Sequence, residues 1–331
     1  MKVAEGTVGR VAVVGAGLSG LAAARRLTAG GASVRIFDKA RGPGGRCSTR
    51  RAEGHAFDHG AQYFTCRDPA FEPWVAQWRA SGAVERWRGR IARLEAGRSR
   101  PDSGRTERFV GVPGMSALGR ALARGLDLTL GCRIERLERD GRHWRLVDAD
   151  GAAHAPFEQV VVAVPAEQAV PLVEPVPDLA VALGQVEMEP CWAALVAFED
   201  RVAADFDGAF VSDAPLSWVA RNGSKPGRPA AECWVLHATP DWTRSRLELS
   251  REQAAEALRE AFHRALGADL PRAVHQDAHR WRYASTGTAL GRPFAFDRAS
   301  GVGACGDWCE GGRVERAVLS GEALAQAMLQ T

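Results

Sequence analysis

The sequence predicts an α/β unit on a parallel sheet, wound through both ends of the chain, and an α+β unit on an antiparallel sheet in the middle. Three observations lead there. A strand–glycine–helix–strand succession fills residues 11–38. A second strand–glycine–helix succession, residues 301–329, ends the chain and completes the first unit from far away in sequence. Between them, residues 178–289 carry β-type runs with tryptophans in or beside each, followed by one amphipathic helix.

A chain of 331 residues can hold two domains, or one with a large insertion. With 46% hydrophobic and 25% charged residues the composition is that of a globular protein. A formal charge of +3 is too small to argue for nucleic acid or an anionic membrane as a partner. No apolar run approaches a membrane span and the N-terminus lacks a signal-peptide core, so a cytoplasmic protein is expected. The seven cysteines are scattered, and the C-x3-C pair Cys305 and Cys309 has no second pair. Reduced thiols are expected, with no metal. Lys2, Lys39 and Lys225 are the only lysines.

In the first unit Val11–Val14 is a short apolar run suited to a buried strand. Gly15-Ala16-Gly17-Leu18-Ser19-Gly20 then has the G-x-G-x-x-G spacing, and a helical composition follows. Gly15 permits the tight turn, Gly17 lets backbone approach a pyrophosphate, and Gly20 lets helix and strand pack closely. The free amides and positive dipole at the helix start hold phosphates. Ser33–Phe37 is the second strand, and Asp38, 18 positions past Gly20, suits the hydroxyls of an adenosine ribose. This is a Rossmann-type dinucleotide-binding unit. Beyond Lys39, the doublet Gly44-Gly45 and Arg46 add bare backbone and a phosphate-binding fork, the extension seen in FAD-binding flavoproteins.

His59-Gly60-Ala61-Gln62-Tyr63, within residues 57–64, suits a loop facing a flat ring system, a solvated turn being the alternative. Residues 71–78 carry a helical stripe, and residues 96–107 read as a polar loop. Residues 109–115 lead into a helix over 116–124. Strands are expected at 126–130, at 133–137 around Ile134, and at 144–147, with a hairpin turn at Asp150-Gly151. Residues 159–164 form a buried strand stopped by Pro165, and residues 165–177 cross between domains. In the middle unit, strands at 191–198, 216–219 and 233–237 precede a helix at 251–266. At the C-terminus a strand ends in Gly306-Asp307, and the helix from Val314 follows Arg313. Asp307 suits a sugar-alcohol hydroxyl, and the amides opening that helix suit the N1–C2=O edge of a flavin. The expected division is an FAD-binding domain of residues 1–70, 106–175 and 290–331, and a substrate domain of residues 71–105 and 176–289.

The βαβ start with Asp38, the Gly44-Gly45-Arg46 doublet and the terminal Gly306-Asp307 resemble the glycine-doublet FAD oxidoreductases, which include the amine oxidases. Arg41-Gly-Pro-Gly-Gly-Arg-Cys-Ser-Thr-Arg50, Asp58-His-Gly-Ala-Gln-Tyr-Phe-Thr65, Val110-Gly-Val-Pro-Gly-Met-Ser116, Gly306-Asp-Trp-Cys-Glu-Gly-Gly-Arg-Val-Glu315, Trp234-Val-Leu-His237 and Arg280-Trp-Arg-Tyr283 narrow this to a resemblance to the bacterial renalases, nearly end to end. That resemblance implies noncovalent FAD and a substrate domain of the p-hydroxybenzoate hydroxylase type. It also implies oxidation of 2- or 6-dihydro isomers of NAD(P)H, with NAD(P)+ released and O2 reduced to H2O2. It extends the cofactor set, from Gly15–Gly20, Asp38, Lys39 and Gly44–Arg46, to His59, Gly60, Ala61, Ile134, Gly306, Asp307, Arg313, Val314 and Glu315. The substrate side falls to Gln62, Tyr63, His237, Trp281 and Tyr283. The sequence departs from the family near Cys47, where methionine is expected, and Cys309 has no assigned role.

Hydride loss from a dihydropyridine leaves an aromatic pyridinium, so no proton need depart and no base is required. Lys225, in Asn222-Gly-Ser-Lys-Pro-Gly227, reads as part of an exposed turn, which weighs against amine oxidation. Pro165-Ala-Glu167 stands where flavin hydroxylases carry Asp-Gly, which weighs against hydroxylation. His237 is either a structural strand-end histidine or a substrate contact. Trp281 and Tyr283 alternate with Arg280 and Arg282, so one pair faces inward, for packing or ring stacking. Three readings stand: a dihydronicotinamide oxidase, an amine oxidase or desaturase, and a flavin-binding sensor without turnover.

Overall fold

Residues 11–14 are all apolar and all buried, so this strand runs inside a sheet covered on both faces. The computed structural model describes residues 9–104 and 106–331. Residues 1–8, with Lys2 and the start of the N-terminal reading, and Arg105 of the 96–107 stretch lie outside the described residues. Arg10–Val14 pairs in parallel with Ser33–Asp38 on one side and Gln159–Val162 on the other. Asp127–Leu130 adds outside Ser33–Asp38, and Val302–Ala304 outside Gln159–Val162. Ala295–Asp297 closes that edge antiparallel, giving a six-stranded Rossmann-type sheet.

The helix Leu18–Ala29 covers one face, and the C-terminal helix Val314–Met328 lies against it. Their approach requires glycine, since a Cβ on Gly321 would lie 2.1 Å from the Ser19 carbonyl oxygen. The other face buries Phe37, Val160 and Trp308 with Trp144 and Phe157 of a three-stranded antiparallel sheet, Ile134–Asp140, His143–Asp148 and Ala153–Phe157.

The second large sheet has seven strands in the order Ala273–Thr288, Glu187–Phe198, Glu232–Ala238, Leu216–Arg221, Gly208–Val211, Ile91–Glu95, Arg98–Pro101. The helix Arg251–Leu266 packs Leu258, Phe262 and Leu266 onto one face. A Ser250–Gln253 capping box starts it, and Gly267 at φ 68° ends it.

Two expectations are corrected. The sheet is mixed rather than antiparallel, because Gly208–Val211 and Ile91–Glu95 run in parallel. The 96–107 stretch is not all loop: Arg98–Pro101 is an edge strand paired with Ile91–Glu95 through the turn at Ala96-Gly97. Its charged side chains and Pro101 fit an edge, where one side faces solvent. Among the described residues no helix is long and apolar enough to cross a membrane.

Candidate active site

The cofactor groove starts where the first strand ends. Gly15 has φ 107°, and a Cβ there would lie 2.6 Å from the Ala163 carbonyl oxygen. A Cβ on Gly20 would lie 2.0 Å from the Gly15 carbonyl oxygen, so turn and helix are locked by bare backbone. A Cβ on Gly17, by contrast, would meet nothing within 4 Å. Gly17 is the N-cap of Leu18–Ala29, with no side-chain cap and no acid in the first turn. The free amides of that helix therefore open onto space beside Gly17, as a pyrophosphate requires. At the end of the second strand Asp38 Oδ2 accepts from the Ala16 amide at 2.6 Å and Oδ1 from the Ala40 amide at 2.7 Å. The carboxylate is fixed beside the glycine turn with lone pairs left for a ribose.

Gly44 joins this groove directly, donating its amide to the Ala16 carbonyl at 2.8 Å and bridging Gly17. Arg46 then reaches across the groove, pairing with Asp307 and donating to the Ala284 carbonyl at 3.0 Å. A Cβ on Gly312 would lie 3.3 Å from the Thr286 amide, and Thr286 Oγ1 is buried without a partner. The helix Val314–Met328 opens at Arg313 with no side-chain cap. Glu315 in its first turn is turned away, accepting from the Arg67 amide at 2.7 Å. The glycine cradle, the uncapped helix starts and the unpartnered Thr286 hydroxyl fit a dinucleotide running from Asp38 to Asp307.

The substrate sheet supplies the far wall. Ala193 in the central strand is registered with His237 on one neighbour and His279 on the other. Both histidines thus share a face, and Trp281 joins them two residues on. The expected alternation holds: Arg280 and Arg282 bind Glu248 on the opposite side. Trp281 stacks on His59 with centroids 5.2 Å apart, and His279 meets Trp281 edge-on at 4.3 Å. The His59 carbonyl accepts from Trp281 Nε1 at 2.9 Å and from His237 Nε2 at 3.2 Å. Next to it, the Ala61 amide donates to the Arg46 carbonyl at 3.0 Å, which ties this wall to the cofactor loop.

Burial pushes the imidazoles down, His59 to about 3 and His237 and His279 to about 4. Further causes are His279 and Arg50 beside His59, and Arg50 beside His279. At neutral pH all three rings are uncharged.

Lys225 is not in an exposed turn. Its Nζ is fully buried and lies 3.1 Å from Gln62 Oε1, 3.3 Å from Asn222 Oδ1 and 3.4 Å from Asp58 Oδ2. The preceding residues Asn222–Ser224 form a short 3-10 turn that folds the loop inward, and Arg228 follows it. Arg228 donates to Asp58 Oδ2 through Nε at 3.2 Å and Nη2 at 2.5 Å. Burial alone would raise the Asp58 pKa. The two cations, the Met115 amide and the Thr49 hydroxyl outweigh it and hold the carboxyl below its usual range. Burial lowers Lys225 to about 8 against the attraction of Asp58.

The structure thus brings together Gly15–Gly20, Asp38, Gly44–Arg46, His59–Gln62, His237, Trp281, Asp307 and the helix start at Val314. The remaining candidates make other contacts. Tyr63 packs with Trp87 and Trp218 under Arg108, Tyr283 joins the apolar cluster of Val164 and Leu290, and Lys39 reaches Gln168 at the surface. Ile134 packs in the cluster containing Phe37, and Gly306 donates to Ser320 Oγ at 3.0 Å. Sequence reasoning assigned nothing to Asp58, Arg228 or His279. The one available signal was that Lys225, in a chain so poor in lysine, sits three residues before an arginine.

The pattern of the NAD(P)-binding Rossmann-like domain matches residues 13–78. That of the flavin containing amine oxidoreductases matches residues 90–329, most of the chain. The protein belongs to the flavin-containing amine oxidoreductase family. Its cofactor is FAD, and its substrate sheet is of the amine-oxidase type. Similar proteins include a zeta-carotene-forming phytoene desaturase of Myxococcus xanthus, 51% identical over 51 residues, and a neurosporene-forming phytoene desaturase of Rhodobacter capsulatus, 48% identical over 68 residues. These matches span 15% and 20% of this chain, and only 10% and 13% of the relatives' own length. Among solved structures, a candidate protoporphyrinogen oxidase from Exiguobacterium sp. 255-15 shares the fold with TM-score 0.79 at 13% identity, covering 97% of this chain and 98% of that one. Putrescine oxidase bound to putrescine gives TM-score 0.75 at 14% identity, covering 98% and 100%. At such identities the likeness is one of fold.

Proposed function

We propose that this family member is an FAD-dependent oxidase that takes hydride from a ring carbon conjugated with nitrogen. The substrate would be a 2- or 6-dihydro isomer of NAD(P)H, with NAD(P)+ and H2O2 as products. The observation that carries this is the His59–Trp281 stack with His279 edge-on against it, aromatic and uncharged at neutral pH, beside the Arg46–Asp307 pair. Such a wall orients a ring and excludes water, and its imidazoles, pushed down to about 3 and about 4, are weak bases. Bound FAD supplies the hydride acceptor and passes two electrons to O2. The groove motifs that resemble the bacterial renalases lend further support.

The second reading is amine oxidation or desaturation. The family match and the desaturase and putrescine oxidase relatives favour it, and the burial of Lys225 removes the objection read from sequence. Against it, the Lys225 ammonium already has three oxygen partners, which leaves it a structural cation rather than a free base.

Anaerobic mixing separates the two. Rapid bleaching of the flavin by 2- or 6-dihydro-NAD, with amines inert, is expected. Bleaching by amines alone would put the second reading first. Between about pH 5 and 7.5 the reduction rate is expected to stay flat, since His59, His237 and His279 lose their protons well below an ordinary histidine. A limb near pH 6.5 would reveal a base.

His237 acts through the His59 carbonyl and is a positioning residue. His237→Ala should slow flavin reduction by roughly 10- to 100-fold, the scale of imperfect orientation, without adding or removing a pH limb. Stopped-flow traces of both proteins across that window decide it. An unchanged rate would free His237 of any role.

A further inference from the structure

Outside the groove, three side chains of different chemistry converge. Cys132 Sγ lies 3.5 Å from His154 Nε2 and 3.7 Å from Asp148 Oδ2, and His154 Nε2 lies 2.9 Å from Asp148 Oδ2. Among the described residues this is the one group of three or more such side chains close enough to share an ion. We propose that Cys132, Asp148 and His154 form a zinc site, independent of the flavin chemistry.

The distances argue for it. Zinc bonds of about 2.3 Å to sulfur and about 2.0–2.1 Å to nitrogen or oxygen, at tetrahedral angles, place sulfur about 3.6 Å from each of the other two donors. The two sulfur edges already have that length. Only the nitrogen–oxygen edge must open, to about 3.4 Å. The donors come from separate places: Cys132 precedes the strand Ile134–Asp140, Asp148 ends His143–Asp148, and His154 lies in Ala153–Phe157.

Each donor is also held. Asp148 Oδ1 accepts from the Ala152 amide at 2.9 Å and the Asp150 amide at 3.1 Å, which aims Oδ2 at the cluster. The His154 ring packs on Phe37 at 4.7 Å. The Cys132 amide donates to the Asp38 carbonyl at 2.9 Å. All three residues are half-buried, so an ion can enter and a water can complete the fourth position. On binding, the Cys132 thiol gives its proton to solvent, and His154 offers the Nε2 lone pair with its proton on Nδ1. No redox step is involved. The ion would bind the three-stranded sheet to the strand end that carries Asp38.

The test uses the FAD-loaded protein after chelator treatment. Cobalt(II) titration should saturate at one equivalent, with a near-ultraviolet thiolate-to-cobalt band and tetrahedral bands to the red of the flavin spectrum. Cys132→Ser should abolish the thiolate band, and His154→Gln should weaken binding tenfold or more. Cys66→Ser, at another half-buried thiol, should leave the band intact. Zinc should raise the Tm of the wild type and leave that of C132S unmoved. Equal FAD content and equal metal-free Tm will show that the variants are folded. Absence of the thiolate band from wild type, or its survival in C132S, overturns the proposal.

Discussion

Alanine at position 58 is expected to destabilise the protein by about 3–5 kcal/mol, enough to unfold many domains of this size. The Asp58 carboxylate is completely buried, as are the charged ends of Lys225 and Arg228. Removing it leaves two sealed cations without a counter-charge, and frees the Met115 amide and the Thr49 hydroxyl of their acceptor. Asp58→Asn keeps an acceptor for those two groups but not the charge, and should fall between. Urea denaturation of the three proteins ranks them, and alanine within about 1 kcal/mol of wild type would refute the argument. The pH dependence has a definite sign. Since the folded-state pKa of Asp58 is depressed, its stabilisation is complete above the ordinary carboxylate pKa and is lost as the pH falls through the folded value. Wild type should therefore lose stability in acid more steeply than Asp58→Asn.

Asp38→Ala should weaken FAD binding by about 2–4 kcal/mol, roughly 30- to 1000-fold. Each Asp38 oxygen already takes one amide, from Ala16 or Ala40, so the carboxylate is aimed before the cofactor arrives. Little ordering is left to oppose binding, and two charge-assisted hydrogen bonds to ribose are gained. Titration of the apoprotein by flavin fluorescence measures the loss. Unchanged affinity would mean that Asp38 is a structural cap on the glycine turn and nothing more.

The Rossmann-type sheet was legible because its signals are local. Val11–Val14, the three glycines and Asp38 lie within 28 residues, where Gly15 and Gly20 answer to backbone geometry and Gly17 and Asp38 to the cofactor. The groove's far side was legible only in pieces. His237 could be noticed, but not that Ala193 places it in one row with His279, since register between strands far apart in sequence leaves no local mark. Lys225 was misread for a related reason. Its neighbours Gly223, Pro226 and Gly227 are turn formers, and a turn formed over a buried carboxylate has the same composition as one facing water. Of the strand Ala273–Thr288 only the alternation at 280–283 was legible, because polar residues such as Arg280 and Asp277 interrupt its apolar pattern and are paired instead with Glu248, Arg50 and Arg251.

The parallel sheet also sets a timetable for biosynthesis. Arg10–Val14 is flanked by Gln159–Val162, which in turn waits for Val302–Ala304. During synthesis Gln159–Val162 therefore keeps one edge open until Val302–Ala304 has been delivered. Until then the run Val160–Val162 remains a sticky, half-paired edge in the nascent polypeptide, whereas Val11–Val14 is paired on both sides once Gln159–Val162 has emerged. Premature termination upstream of Val302 would leave that edge exposed and favour aggregation, and chaperones would meet the unfinished chain through residues 159–162.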